Sequence, residues 1–122
     1  MTFGEFLRLK RKKKHFSIVN MAAELGISAS YLSSLESGYR CPPALKTLEK
    51  IAEVLELKTD ERYQLFDLAA RCKYPPVIAD DLIAYIYKTP QIIPLLRYTM
   101  KCDLVENDWE NILKFIKQNY FY

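Results

Sequence analysis

Hydroxyls, backbone amides and cations are the groups this chain offers in a meaningful pattern. From Ile18 to Leu35 the order is Ile-Val-Asn-Met-Ala-Ala-Glu-Leu-Gly-Ile-Ser-Ala-Ser-Tyr-Leu-Ser-Ser-Leu. Met21, Ala22 and Leu25 share one helical face, and Leu32 and Leu35 share another. Ser17 and Ser28 each stand just before one of these runs, where a side-chain oxygen can accept from the amides that a first helical turn leaves open. Between the runs Gly26 permits the positive backbone angle of a tight turn, and Ile27 plugs it. Ala22 is small enough for two helix backbones to cross closely, at about 90–120°.

Acid–base, nucleophilic or metal chemistry has no comparable constellation. His15, the only histidine, lies between a lysine run and the second apolar segment, a boundary position rather than that of a general base. There is no Gly-rich phosphate loop, and Asp80-Asp81 read as acids at a helix start. Cys41, Cys72 and Cys102 are about thirty residues apart, neither an even disulfide set nor a metal-ligand spacing. They are expected to be reduced and mostly buried. No enzyme, no cofactor and no metal site is expected.

The composition bounds the partners. Of 122 residues, 50% are apolar and 27% charged, the balance of a folded globular chain of one ordinary domain or a small domain with an appended piece. No apolar run approaches the roughly 20 residues that span a bilayer, and the start Met1-Thr2-Phe3-Gly4-Glu5 lacks an export signal, so a cytoplasmic protein without a membrane partner is expected. The net charge of +3 is uneven. Residues 1–46 carry eight Lys or Arg against three acids, whereas residues 74–122 carry five against six. A polyanionic partner is therefore expected for the front part only.

The elements that must position these groups are all helical, because the six prolines and three glycines fall at helix ends and no alternating strand pattern occurs. Thr2 with Glu5 forms a capping-box pattern for a helix reaching about Lys13. Ser17 opens Ile18–Leu25, which stops at Gly26, and Ser28 opens Ala29–Ser37, which stops at Gly38. The two central helices, joined by a three- to four-residue turn, make a helix-turn-helix. A fourth helix carries Leu45, Leu48, Ile51, Ala52 and Leu55 as one stripe, and Thr59 with Asp60 and Glu61 is expected to cap a fifth. Tyr74-Pro75-Pro76 is the best boundary, dividing residues 1–73 from a helical extension over 74–122. Three further helices fit that extension, at about 77–87, 91–101 and 105–118.

With these features in place, the chain resembles the Cro and phage-repressor type of helix-turn-helix domain, also called the xenobiotic response element (XRE) family. The resemblance extends over about residues 3–73. Its motifs lie between Phe6 and Leu57: Leu7 to Arg11, Met21-Ala22 to Gly26-Ile27-Ser28, Leu32-Ser33-Ser34-Leu35-Glu36-Ser37-Gly38, and Pro42 followed by the helix ending Ile51-Ala52-Glu53-Val54-Leu55. It implies an all-α, five-helix DNA-binding domain, followed here by about three further helices. It also implies that the third helix enters the major groove of double-stranded DNA, with Ser28, Ala29, Ser30, Ser33 and Ser34 meeting base edges. Phosphate contacts would come from Ser17, Tyr31, Tyr39 and Arg40, and from Lys12, Lys13 and Lys14, whose other reading is a solvated basic turn. Arg11 and Glu36 resemble a pair that bridges the first and third helices in this family, against the alternative of two surface charges that never meet.

One departure stands out. Relatives often place long amides or Arg on the third helix, and this chain offers short hydroxyls and a methyl, which discriminate bases poorly. Specificity is therefore expected to lean on DNA shape, bridging water and half-site spacing.

Two functions fit. The first is a transcriptional regulator, a repressor acting as a homodimer on a pseudo-palindromic operator. The second is an antitoxin-like or mobile-element protein whose front part autoregulates while the back part captures another protein. In either, Trp109, Ile112, Phe115, Ile116, Tyr120, Phe121 and Tyr122 are the dimer or partner candidates, unless they are folded core. About fifty residues have too small an interior to bury so many large side chains, so these are expected to pack on the front unit or on a second copy.

Overall fold

A computed structural model describes residues 1–73 and 77–120. Among these residues there are eight helices and no strand: α1 Phe3–Lys13, α2 Ile18–Leu25, α3 Ala29–Ser37, α4 Leu45–Val54, α5 Thr59–Arg71, α6 Asp80–Lys88, α7 Ile92–Lys101 and α8 Glu106–Tyr120. The all-α class expected from the sequence is the class observed. The expected boundary at Tyr74-Pro75-Pro76 lies outside the described residues, as do Phe121 and Tyr122.

Local chemistry sets where the helices begin and end. The Thr2 hydroxyl accepts from the Glu5 amide at 3.1 Å, and the Glu5 carboxylate accepts from the Thr2 amide at 3.2 Å. Ser17 Oγ accepts from the Asn20 amide and Ser28 Oγ from the Tyr31 amide, each at 3.0 Å. Gly26 ends α2 at φ 70°, a left-handed angle that lets the next amide, on Ile27, donate back to Ala22 O at 3.0 Å. The fifth helix departs from expectation. Thr59 is its first helical residue, Lys58 holds the cap position, and Glu61 accepts from the Lys58 amide at 3.0 Å. A carboxylate three residues on reaches that amide, so the end is closed without the hydroxyl. The first helix of the extension also starts later than about residue 77, with Asp80 and Asp81 inside its first turn.

Packing in the front part joins α1 to α3 and α5, α2 to α3 and α4, and α4 to α5. Phe6, Leu7, Met21, Leu32, Leu35, Ile51 and Leu65 are its largest fully buried side chains. Each contributes about 1.5–3 kcal/mol of transfer free energy. Ala22 is buried at the α2–α3 crossing. Gly4 marks a tighter approach: a Cβ there would lie 2.2 Å from the Glu36 carbonyl oxygen, so α1 and α3 touch backbone to backbone.

The chain forms two compact units, Met1–Ile83 and Ala84–Tyr122. Ala79 is part of the buried cluster of the first. In the second, neither α7 nor α8 contains a buried residue. Trp109 is 45% exposed and Phe115 58%, and Ile112, Ile116 and Tyr120 are exposed as well. Among the described residues, the second unit thus has no interior of its own that buries these side chains. The three cysteines, expected to be mostly buried, are all exposed. Cys41 lies in the turn between α3 and α4, and Cys72 at the end of α5, both outside the helical stripes that make the core.

Candidate nucleic-acid interface

The surface is built around α3. Its inner face is fixed by Leu32 and Leu35, which are fully buried, and its start by the Ser28 cap. The opposite face exposes Ser30 and Ser33, while Ser34 is half-buried. Their hydroxyls are not equivalent. Ser34 Oγ donates to Ser30 O at 2.9 Å, and Ser28 Oγ already accepts from Tyr31, so these two are partly committed to the helix itself. No hydrogen bond from the Ser30 or Ser33 side chain occurs among the described residues, leaving those hydroxyls to face outward. Ala29 is half-buried against the core, so its methyl presents only part of its surface.

The rim is cationic and amide-bearing. Ser17 opens α2 on the exposed side, and the first amides of that helix point out beside it. Lys12 and Lys13 are exposed at the end of α1, whereas Lys14 pairs with Glu56. Beyond α3, Tyr39 is 90% exposed. The Arg40 amide donates to Ser34 O at 3.2 Å, and its guanidinium lies 5.8 Å from the centre of the half-buried Tyr31 ring. That stack ties the loop to α3 at Tyr31.

Beneath the surface, Glu36 is the anchor. Its carboxylate accepts from Arg11 Nε at 2.7 Å and from Arg11 Nη2 at 3.1 Å, a two-pronged pair with side chains 1% and 10% exposed. Arg11 Nη1 donates in addition to Phe16 O at 2.9 Å, in the turn that leads into α2. One guanidinium thus fixes α3 and the α1–α2 turn together. Arg8 adds a third cationic contact, Nε to Glu36 at 3.3 Å, from the exposed side. Sequence reading misses Arg8, although the signal is there: it precedes Arg11 by three residues and so shares its helix face.

Two further ion pairs hold the basic end of α1. Lys10 donates to Glu61 and Lys14 to Glu56, and each lysine holds its partner's carboxyl below the ordinary carboxylate value, chiefly through the side-chain hydrogen bond. These pairs also escape sequence reading, since the partners lie 51 and 42 residues apart. Among the described residues no helix is long and apolar enough to cross a membrane, and no cluster of His, Cys, Asp or Glu is arranged to hold a metal ion.

Comparison with known proteins points to the same stretch. A family model described as helix-turn-helix matches residues 7–62. The HTH-type transcriptional regulator SlrR of Bacillus subtilis (strain 168) is 42% identical over 64 residues, 52% of this chain and 40% of that protein. The ImmF control region 10 kDa protein of Bacillus phage phi105 is 44% identical over 54 residues, 44% of this chain and 59% of that protein. The HTH-type transcriptional regulator SinR of Bacillus subtilis (strain 168) is 32% identical over 65 residues, 50% of this chain and 59% of that protein. The chain therefore spans between 40% and 59% of the length of these curated relatives. Among solved structures, a SinR protein/SinI protein complex aligns with a TM-score of 0.50 and 22% identity over 96% of both chains, a likeness of fold.

Proposed function

From the premise that residues 7–62 belong to the helix-turn-helix family of the Cro and phage-repressor (XRE) type, we propose that the chain is a sequence-specific double-stranded DNA-binding transcriptional regulator. In this reading it is a repressor that binds a pseudo-palindromic operator as a homodimer, with residues 28–34 in the major groove. Residues 1–73 hold the duplex and residues 74–122 supply association. The observation that carries it is the outer face of α3, where Ser30 and Ser33 are exposed and the Arg40 guanidinium is stacked over the neighbouring Tyr31 ring.

This reading divides the labour among the surface residues. Ser30 and Ser33 meet base edges directly, and Ser28, Ala29 and Ser34 fill the groove around them. Ser17, the opening amides of α2, Tyr31, Tyr39, Arg40, Lys12 and Lys13 meet phosphates and set register. Lys14 contributes less, because its charge is shared with Glu56. Two copies with half-sites about 34–36 Å apart read the two arms of the operator. Because two hydroxyls and part of a methyl carry little base information, DNA shape and water supply much of the discrimination.

The test is a charge placed on that face. Ser33→Glu sets a carboxylate against the groove, and its affinity for a bound duplex is expected to fall by roughly tenfold or more with thermal stability unchanged, while Ser33→Ala loses far less. Equal affinity for Ser33→Glu and the parent chain contradicts the reading.

A second reading is favoured by the exposed apolar residues of α7 and α8. There the front part autoregulates in an antitoxin-like or mobile-element protein, and the back part binds another polypeptide. The aligned structure is a complex of SinR with a second protein, SinI, and a polypeptide partner for this chain is in keeping with that. A chain that stays monomeric alone and forms a stable complex with one neighbouring gene product selects this reading.

A further inference from the structure

Two of the three cysteines line one cleft. Cys41, in the segment between α3 and α4, and Cys72, at the end of α5, both line an open cleft of about 590 Å³ in the front unit, and both are exposed free thiols. Tyr39 and Arg40 line the same cleft, so the phosphate-side loop of the proposed interface runs along its edge. The loop is held only at its ends among the described residues. Arg40 donates to Ser34 O on one side, Ala44 O accepts from Thr47 and Leu48 on the other, and the Cys41 amide makes no hydrogen bond between them. Cys102 lies in the second unit and takes no part.

We propose that Cys41 and Cys72 are a reversible thiol pair, which a peroxide closes to an intramolecular disulfide that draws the Tyr39–Arg40 loop away from the duplex. One thiolate sulfur attacks a peroxide oxygen, the O–O bond breaks, and the departing hydroxide takes up a proton as water, leaving a sulfenic acid. The second thiolate attacks that sulfur, the S–O bond breaks, the S–S bond forms, and the hydroxyl leaves as a second water. Two thiols are oxidised and one peroxide is reduced, with no other reactant. Bridged cysteines hold their Cα atoms within about 7 Å, so closing the pair fixes the position of the loop at Cys41 relative to the end of α5. Moving it breaks the stack of Arg40 on Tyr31 and removes one cationic phosphate contact.

The DNA consequence rests on the regulator reading above, and the chemistry of the pair does not. The full chain carrying Cys102→Ser is treated with hydrogen peroxide, and its peptides are mapped before and after dithiothreitol. The expected result is a Cys41–Cys72 link in the monomer, a mass lower by two hydrogens, and full reversal; Cys41→Ser and Cys72→Ser each abolish it. The linked chain is expected to bind duplex roughly tenfold more weakly, with a salt dependence reduced by about one charge. Thiols that oxidise separately without a link overturn the pair, and a link that leaves affinity and salt dependence unchanged overturns its effect on the loop. A reduced chain that binds no duplex overturns the regulator reading and the DNA consequence with it, while the mapped link still decides the thiol chemistry.

Discussion

Glu36 shows how one side chain can set the presentation of a whole surface. With its carboxylate buried and shared between Arg11 and Arg8, Glu36→Gln leaves two guanidiniums without their counter-charge. Chemical denaturation is expected to show a loss of about 3–5 kcal/mol. Arg8→Ala, whose side chain is 56% exposed, is expected to cost under about 1 kcal/mol. Equal losses in the two variants would count against Glu36 as a buried anchor. The ion pairs at the other end of α1 respond to acid. Glu61 is held below its ordinary value by the Lys10 hydrogen bond and then by the Lys58 amide. A carboxyl lowered in the folded state adds stability above its unfolded value, about 4.3, and loses it as pH falls through the lowered one. Lys10→Met is therefore expected to lower the melting temperature at pH 7 and to match the parent at about pH 2, where the carboxyl is protonated in both. An equal deficit at both pH values would assign the effect to packing over Phe6, whose ring centre lies 5.4 Å from the lysine nitrogen.

Helix ends and crossings are where element-scale predictions belong. Ser28→Ala removes the acceptor for the Tyr31 amide and is expected to cost about 1 kcal/mol, with a matching loss of DNA binding because the same residue begins α3. Gly4→Ala forces a methyl against the Glu36 carbonyl and is expected to cost about 3 kcal/mol, the upper range of overpacking; a neutral effect in thermal denaturation would contradict the close α1–α3 approach. The first caps and the turn were legible because they are short-range chemistry: Thr2, Ser17, Ser28 and Gly26 each act on residues within a few positions. Gly4 was not, since its constraint comes from a carbonyl 32 residues away, and neither was the Lys58 cap, where the Glu61 carboxylate accepts from the cap amide and no side chain of the cap residue is needed. Cysteine burial was misjudged for a related reason: residue type gives an average tendency, whereas Cys41 and Cys72 occupy a loop and a helix end.

For the molecule as a whole, the charge imbalance and the apolar imbalance lie in different parts of the chain. The basic part contains the exposed serine face, and the extension contains exposed large apolar side chains along α8, with Trp109, Ile112, Ile116 and Tyr120 at helical spacing. The regulator reading assigns those apolar side chains to a second copy. A Trp109→Ser, Ile116→Ser chain is therefore expected to run as a monomer in light scattering where the parent runs as a dimer, and to bind an operator with lost cooperativity. A monomeric parent would instead move the surface to a foreign partner. Whether α3 reads a duplex is decided by selection of bound sequences from random double-stranded DNA at fixed salt. Enrichment of a pseudo-palindrome is expected, with half-sites about one helical turn apart, few invariant guanines and a shape-dependent centre. Recovery of unenriched sequence, or of sites bound equally well by Ser33→Glu, would contradict it.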